Sequence, residues 1–133
     1  ITEISSTQAI TIFLSSFLID FDHYLIYAIK NKDYSLKRAN NYFKESRKKW
    51  LNLPFDKRKI YKKHIFLFHG IEFWFLLFLL SLNFPIIIFI LYGFAIHIFL
   101  DYIDCLYFKE PLYQKFSQLY VYFTNKKKIK FNF

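Results

Sequence analysis

Glycine occurs twice in this chain, proline three times and cysteine once. So little turn punctuation excludes an all-β fold with many tight turns and favours long helices joined by few loops. The lone cysteine, Cys105, has no partner for an internal disulfide and reads as a structural thiol. No G-x-S-x-G elbow and no H-E-x-x-H helix is present, and Cys105 has no evident base beside it, so nucleophilic mechanisms rank low. Basic residues are missing from three long apolar stretches: 13 of the 19 Lys and Arg lie between Lys30 and Lys63, and the other six lie from Lys109 onward. That segregation is a membrane pattern rather than a nucleic-acid one.

What is there is apolar and aromatic. The chain has 133 residues, 55% hydrophobic and 24% aromatic, under a formal charge of +9. This is enough for one compact unit, so residues 1–133 are expected to form a single all-α membrane domain, a polytopic helical bundle. Three transmembrane helices are expected at about 8–29, 65–82 and 85–108. Each is long enough, at about 1.5 Å per residue, to cross a hydrocarbon layer of about 30 Å. The short Asn83-Phe84-Pro85 connection predicts a hairpin between the second and third. Because the chain begins at Ile1 with no basic n-region, an upstream segment is expected to precede it.

The 30–63 connection is basic, and Leu36, Phe43 and Trp50 recur in it every seven residues. This spacing suits an amphipathic helix ending before Pro54, lying either on anionic lipid headgroups or against the rest of the protein. The tail over 109–133 is basic again. Basic loops remain cytoplasmic, so the connection and the tail should both face that side of an inner, cytoplasmic membrane.

Five carboxylates fall within the apolar stretches: Asp20, Asp22, Glu72, Asp101 and Asp104. An ionised Asp at the centre of a membrane helix costs about 2.5 to 3.5 kcal/mol on insertion scales, so these groups must be near the interface, protonated, paired or bound to cations. Measured from the nearest basic residue along straight helices, His23, His69 and Asp101 lie at one level, about 9 to 12 Å inside the boundary. His97, Asp101 and Asp104 share one helix face, and Ser16, Asp20, His23 and Tyr27 share another. Asp22 is off its stripe and needs a break in the helix or another partner. His64 sits at the boundary and reaches inward only if the helix entry is irregular. Imidazole and carboxylate together are ligands that Zn, Mn or Fe accept, and a cation would neutralise the buried charge. The alternative is a set of interhelical hydrogen bonds with some Asp protonated.

Three motifs in series carry a family resemblance. Leu18-Ile19-Asp20-Phe21-Asp22-His23 follows an L-P-D-x-D-H block, His64-Ile65-Phe66-Leu67-Phe68-His69 follows an H-R-x-x-x-H block, and Gly93, His97 and Asp101 follow a G-x-x-x-H-x-x-x-D block. In these the chain resembles the membrane-bound metal-dependent hydrolases, also described as LexA-binding, inner-membrane-associated hydrolases. It departs from them at Ile19 (Pro), Ile65 (Arg) and Gly70 (Ser), and the family's N-terminal His has no counterpart. Loss of the Arg removes a bidentate group able to clamp a phosphate.

The leading expectation is therefore metal-assisted hydrolysis of a phosphoester, in a lipid or lipid-linked substrate, at the cytoplasmic leaflet. Asp20, Asp22, His23, His69, His97 and Asp101 would hold one or two divalent cations, Zn favoured and Mn or Mg open, with Glu72 or His64 as general base. The neighbouring Lys and Arg would attract anionic headgroups of the bilayer. Cation or proton movement is a second class, but it calls for acids at stepped depths, and residues 73–94 carry none. A non-enzymatic membrane scaffold is the third. Nucleic acid is not favoured as a partner, and oligomerisation is left open.

Overall fold

The computed structural model describes residues 4–131 and is helical, with one isolated bridge between Tyr61 and Ile129 and no strand among those residues. The ends of the expected domain, residues 1–3 and 132–133, lie outside the described residues. The helices are α1 (Ser6–Leu18), α2 (Phe21–Asn31), α3 (Leu36–Leu51), α4 (Phe55–Arg58), α5 (Ile71–Ser81), α6 (Ile87–Tyr107), α7 (Tyr113–Phe116) and α8 (Gln118–Asn125).

The first apolar stretch is broken once. Helix α1 starts on a capping box, in which Ser5 Oγ accepts from the Gln8 amide and the Gln8 side chain accepts from the Ser5 amide. It ends at Leu18, and after Ile19 and Asp20 the chain re-enters a helix at Phe21. The break turns Asp22 inward, where it is 4% exposed, which is the rearrangement its off-stripe position required.

Helix α1 packs most extensively on α6. The approach is close because α6 presents Gly93: a Cβ there would stand 2.0 Å from Ser15 Oγ and 2.4 Å from the Ile12 carbonyl oxygen. Ser15 fits the seam because its hydroxyl donates to the Thr11 and Ile12 carbonyls of its own helix, leaving no polar group unsatisfied. Helices α5 and α6 form the expected hairpin through the turn at residues 82–86. The core is small. Ile19, Phe94 and Ile98 are buried together, with Phe68, Phe73, Trp74 and Tyr102 packed around them. Ile19, Phe68 and Ile98 are the sequence neighbours of Asp20, His69 and His97, so the core holds these three in place directly.

The second apolar stretch is not one helix. Residues 62–66 are irregular, Leu67–His69 make a single 3₁₀ turn, and only the 11 residues of α5 are α-helical. Eleven residues rise about 16 Å, half of a hydrocarbon layer. Among the described residues, two helical stretches are long and apolar enough to cross a membrane, Ser6–Asn31 with 26 residues and Ile87–Tyr107 with 21. The straight-helix depth expected for His69 therefore does not apply, and this residue reaches its place through an extended entry.

The basic connection docks on the protein. In α3, Leu36 is exposed but Phe43 and Trp50 turn toward α2 and the tail, so the seven-residue stripe is split between solvent and packing. Arg47 Nη2 donates to both oxygens of Asp104, at 2.8 and 2.7 Å. Below it Glu110, with a side chain 10% exposed, collects Lys63, Arg58 and the Trp50 indole N–H. Burial pushes the Glu110 carboxyl up, and hydrogen bonds from Lys63, Trp50 and Arg58 outweigh it and hold the group below the usual carboxylate range. Burial also pulls the Lys63 ammonium below its ordinary value, against the pull of Glu110. This ionic knot ties the 50–63 stretch to the chain just beyond the end of α6.

Candidate metal centre

Three separate pieces of chain deliver the site. Asp20 comes from the break between α1 and α2, and His23 from the first turn of α2. His69 ends the 3₁₀ turn and is followed by Gly70, where a Cβ would collide with Glu72 Oε2 at 2.3 Å and with Gln118 Cγ at 2.8 Å. The missing side chain at Gly70 lets the chain pass this close to α8. His97 and Asp101 lie one turn apart on α6.

Imidazole and carboxylate atoms alternate around a ring. Asp20 Oδ1 lies 3.5 Å from His69 Nε2 and 3.4 Å from His97 Nε2, and Asp101 Oδ2 lies 3.4 Å from His69 Nε2 and 3.7 Å from His97 Nε2. These separations exceed those of good hydrogen bonds, about 2.7 to 3.2 Å. The two at 3.4 Å equal the edge between ligands at about 2.0 to 2.1 Å from a tetrahedral Zn, about 3.3 to 3.4 Å, and the other two are longer by about 0.1 to 0.3 Å. His69 Nε2 and Asp101 Oδ2 are buried and make no hydrogen bond. Buried polar atoms of native proteins are rarely left so, and a cation would satisfy both at once. Ligand-capable atoms of His69, His97 and Asp101 fall within 4.8 Å of one another, as do those of Asp20, His23 and His69, so two triads overlap at His69. The donor set fits a divalent cation.

The imidazoles are oriented for this role. His97 Nδ1 lies 2.8 Å from the Ser16 carbonyl oxygen. A carbonyl only accepts, so in the neutral ring Nδ1 carries the hydrogen and Nε2 presents its lone pair to the ring of ligands. Asp22 does the same for the other helix pair: its Oδ2 accepts from the Phe68 amide at 3.0 Å and faces His69 Nδ1 at 3.3 Å, while its Oδ1 meets His23 Nδ1 at 2.9 Å. Asp22, expected as a ligand, belongs to neither triad and instead holds two histidines in position. His23 is further fixed by stacking on Phe66, with ring centroids 3.9 Å apart.

No family model, curated protein or solved structure matches the chain. The site is therefore read from its own chemistry.

The two residues expected to act as general base part company. Glu72 is committed elsewhere: its carboxylate accepts from Ser117 Oγ and from the Gln118 and Leu119 amides, capping the start of α8. His64 does reach inward, because the entry to the second apolar stretch is irregular, and it packs edge-on to Phe43. Burial, with Lys30 and His23 close by, pushes its imidazole down to about 4. At neutral pH it is an uncharged lone-pair donor and a weak base.

Beside the ring lies a cavity of about 320 Å³. Asp20, His23, His64 and Asp101 form its acidic and imidazole wall, and Phe43, Trp50, Phe66 and Phe108 an aromatic one. Arg47, Lys62, Lys63 and Lys115 add positive charge. Lys115 is the residue that sequence reasoning missed: its Nζ stands 2.8 Å from Asp101 Oδ2, near enough to pair electrostatically though not aligned as a hydrogen bond. Nothing in the basic tail distinguishes it from its neighbours, since the contact depends on how α7 folds back over α6.

Proposed function

We propose that this chain is a membrane-embedded, metal-dependent hydrolase that cleaves a phosphoester in a lipid or lipid-linked substrate at the cytoplasmic leaflet. The observation that carries the reading is the alternating ring of His69, Asp20, His97 and Asp101 atoms at 3.4 to 3.7 Å, with two buried members that make no hydrogen bond. A divalent cation held there, Zn before Mn or Mg, would activate water at neutral pH and polarise the scissile group. The chain's own residues do the rest. Asp22 and the Ser16 carbonyl hold the imidazoles with the right nitrogen forward, and the basic cavity wall attracts an anionic substrate. His64 borders the same cavity as an unprotonated acceptor.

The resemblance to membrane-bound metal-dependent hydrolases supports this, since its three motifs contain Asp20, His23, His69, His97 and Asp101. Membrane residence is supported by apolar side chains left on the outside: Phe13, Phe17, Leu18, Phe75, Phe99 and Leu100 are each at least 60% exposed. A water-soluble monomer rarely shows so continuous an apolar surface. In this reading α5, too short alone, enters the bilayer with α6 as a hairpin, so three segments insert. The sharpest test is to purify the full chain in mild detergent and count bound metal by elemental mass spectrometry, beside Asp20→Ala and His97→Ala. Near-stoichiometric metal in the parent, lost in both variants, is expected. A folded parent that takes up neither Zn, Mn nor Mg would hand the lead to a non-enzymatic membrane scaffold.

A further inference from the structure

Four lysine and arginine side chains line the cavity, and their anionic partners differ in one respect. Arg47 is held by Asp104 through Nη2, and Lys63 by the largely buried Glu110, both outside the ring of ligands. Lys62 is exposed at the rim. Lys115, 14% exposed on α7, leans on Asp101 Oδ2, the oxygen that also faces His69 Nε2 and His97 Nε2. Its partner is thus the atom that a divalent cation would take.

Resting on the metal-site reading, we propose that Lys115 serves in turn as charge partner of the empty site and as anion-binding group of the loaded one. One carboxylate oxygen cannot keep an ammonium at 2.8 Å and a divalent cation at bonding distance without strong repulsion between the two cations. Lysine has a flexible four-carbon stem and a compact charge, so Lys115 swings away while its backbone stays. The cavity it already lines offers the space, between the metal wall and Arg47. There the ammonium meets an anionic oxygen of a phosphate. The ligand chemistry is a phosphomonoester, carried either by a soluble molecule or by a lipid headgroup.

The test uses the full chain in detergent. Zn affinity is measured by competition with a chromophoric chelator, and inorganic phosphate affinity on the Zn-loaded protein, for the parent, Lys115→Met and Lys115→Arg. Lys115→Met should bind Zn several-fold more tightly and phosphate several-fold more weakly, and Lys115→Arg should retain phosphate. Acetylation of Lys115 in the parent, followed by mass spectrometry, should rise on Zn loading and fall again with phosphate, a readout that needs no variant. The same comparison in nanodiscs containing phosphatidic acid, against phosphatidylcholine alone, separates the sources: weakening by Lys115→Met only there assigns the headgroup, and weakening with inorganic phosphate assigns the soluble anion. Metal binding with no change at Lys115 in affinity or labelling overturns this inference alone. A parent that binds no metal overturns the metal-site reading and this inference together.

Discussion

Replacing Asp22 by Asn separates an orienting residue from a ligand. Its side chain is 5% exposed and keeps nearly the same volume as Asn, so packing around Ile19 and Phe68 is retained. What changes is the acceptor opposite His69 Nδ1 at 3.3 Å and His23 Nδ1 at 2.9 Å. An amide that keeps its oxygen on the Phe68 N–H, and so opposite His69 Nδ1, turns its N–H₂ toward His23 Nδ1; His69 then has a neutral acceptor in place of a carboxylate to hold its Nδ1–H and raise the basicity of Nε2. Loss of such a partner typically weakens metal affinity by about 10- to 100-fold, or about 1.4 to 2.7 kcal/mol. A chelator-competition titration should therefore show one full equivalent of Zn bound by Asp22→Asn at the shifted affinity, with helical content unchanged by circular dichroism. Complete loss of metal, equal to that in Asp20→Ala, would make Asp22 a ligand. An unchanged affinity would refute the orienting role.

Other parts of the structure give independent outcomes. Gly93→Ala places a methyl 2.4 Å from the Ile12 carbonyl as well as 2.0 Å from Ser15 Oγ, so it should destabilise the α1–α6 seam by about 1 to 3 kcal/mol, and adding Ser15→Gly should not restore the melting temperature because the backbone clash persists. Glu110→Gln leaves Lys63 and Arg58 without their shared anion and should cost about 3 to 5 kcal/mol in chemical unfolding. In the parent the Glu110 carboxyl titrates below its unfolded value, so its contribution is fully present above about pH 4.3 and is lost as pH falls further, which thermal unfolding between pH 3 and 7 should reveal as a decline absent from Glu110→Gln. Glu72→Gln should lower stability by about 1 kcal/mol through the weakened cap of α8 while metal content stays the same; loss of metal would return Glu72 to the site.

The reach of the sequence differs from one residue to the next, for physical reasons. Periodicity and the scarcity of Gly and Pro made the helices and the α5–α6 hairpin legible, and i, i+4 spacing put His97 and Asp101 on one face. Asp22 lay off its stripe, and that misfit correctly announced a break, though not that the break would make it a support for two histidines. The run Ile65-Phe66-Leu67-Phe68 has no helix-breaking residue, and its irregular course follows from contacts made far along the chain: the Phe66 amide donates to the Gln118 side chain, and the Phe68 amide to Asp22. Glu72 looked like a free acid because its partners, at Ser117 to Leu119, are more than 40 residues away. Lys115 was hidden for another cause: its contact with Asp101, 14 residues back, forms only because α7 folds back over α6.

The central claim is that His69, His97, Asp20 and Asp101 close on one cation. X-ray absorption at the Zn edge of the loaded, detergent-solubilised protein tests it most directly. The account predicts nitrogen and oxygen neighbours at about 2.0 to 2.1 Å, scattering from at least two imidazoles, and no sulfur at about 2.3 Å from Cys105. A spectrum of oxygen neighbours without imidazole, unchanged in His97→Ala, would contradict it.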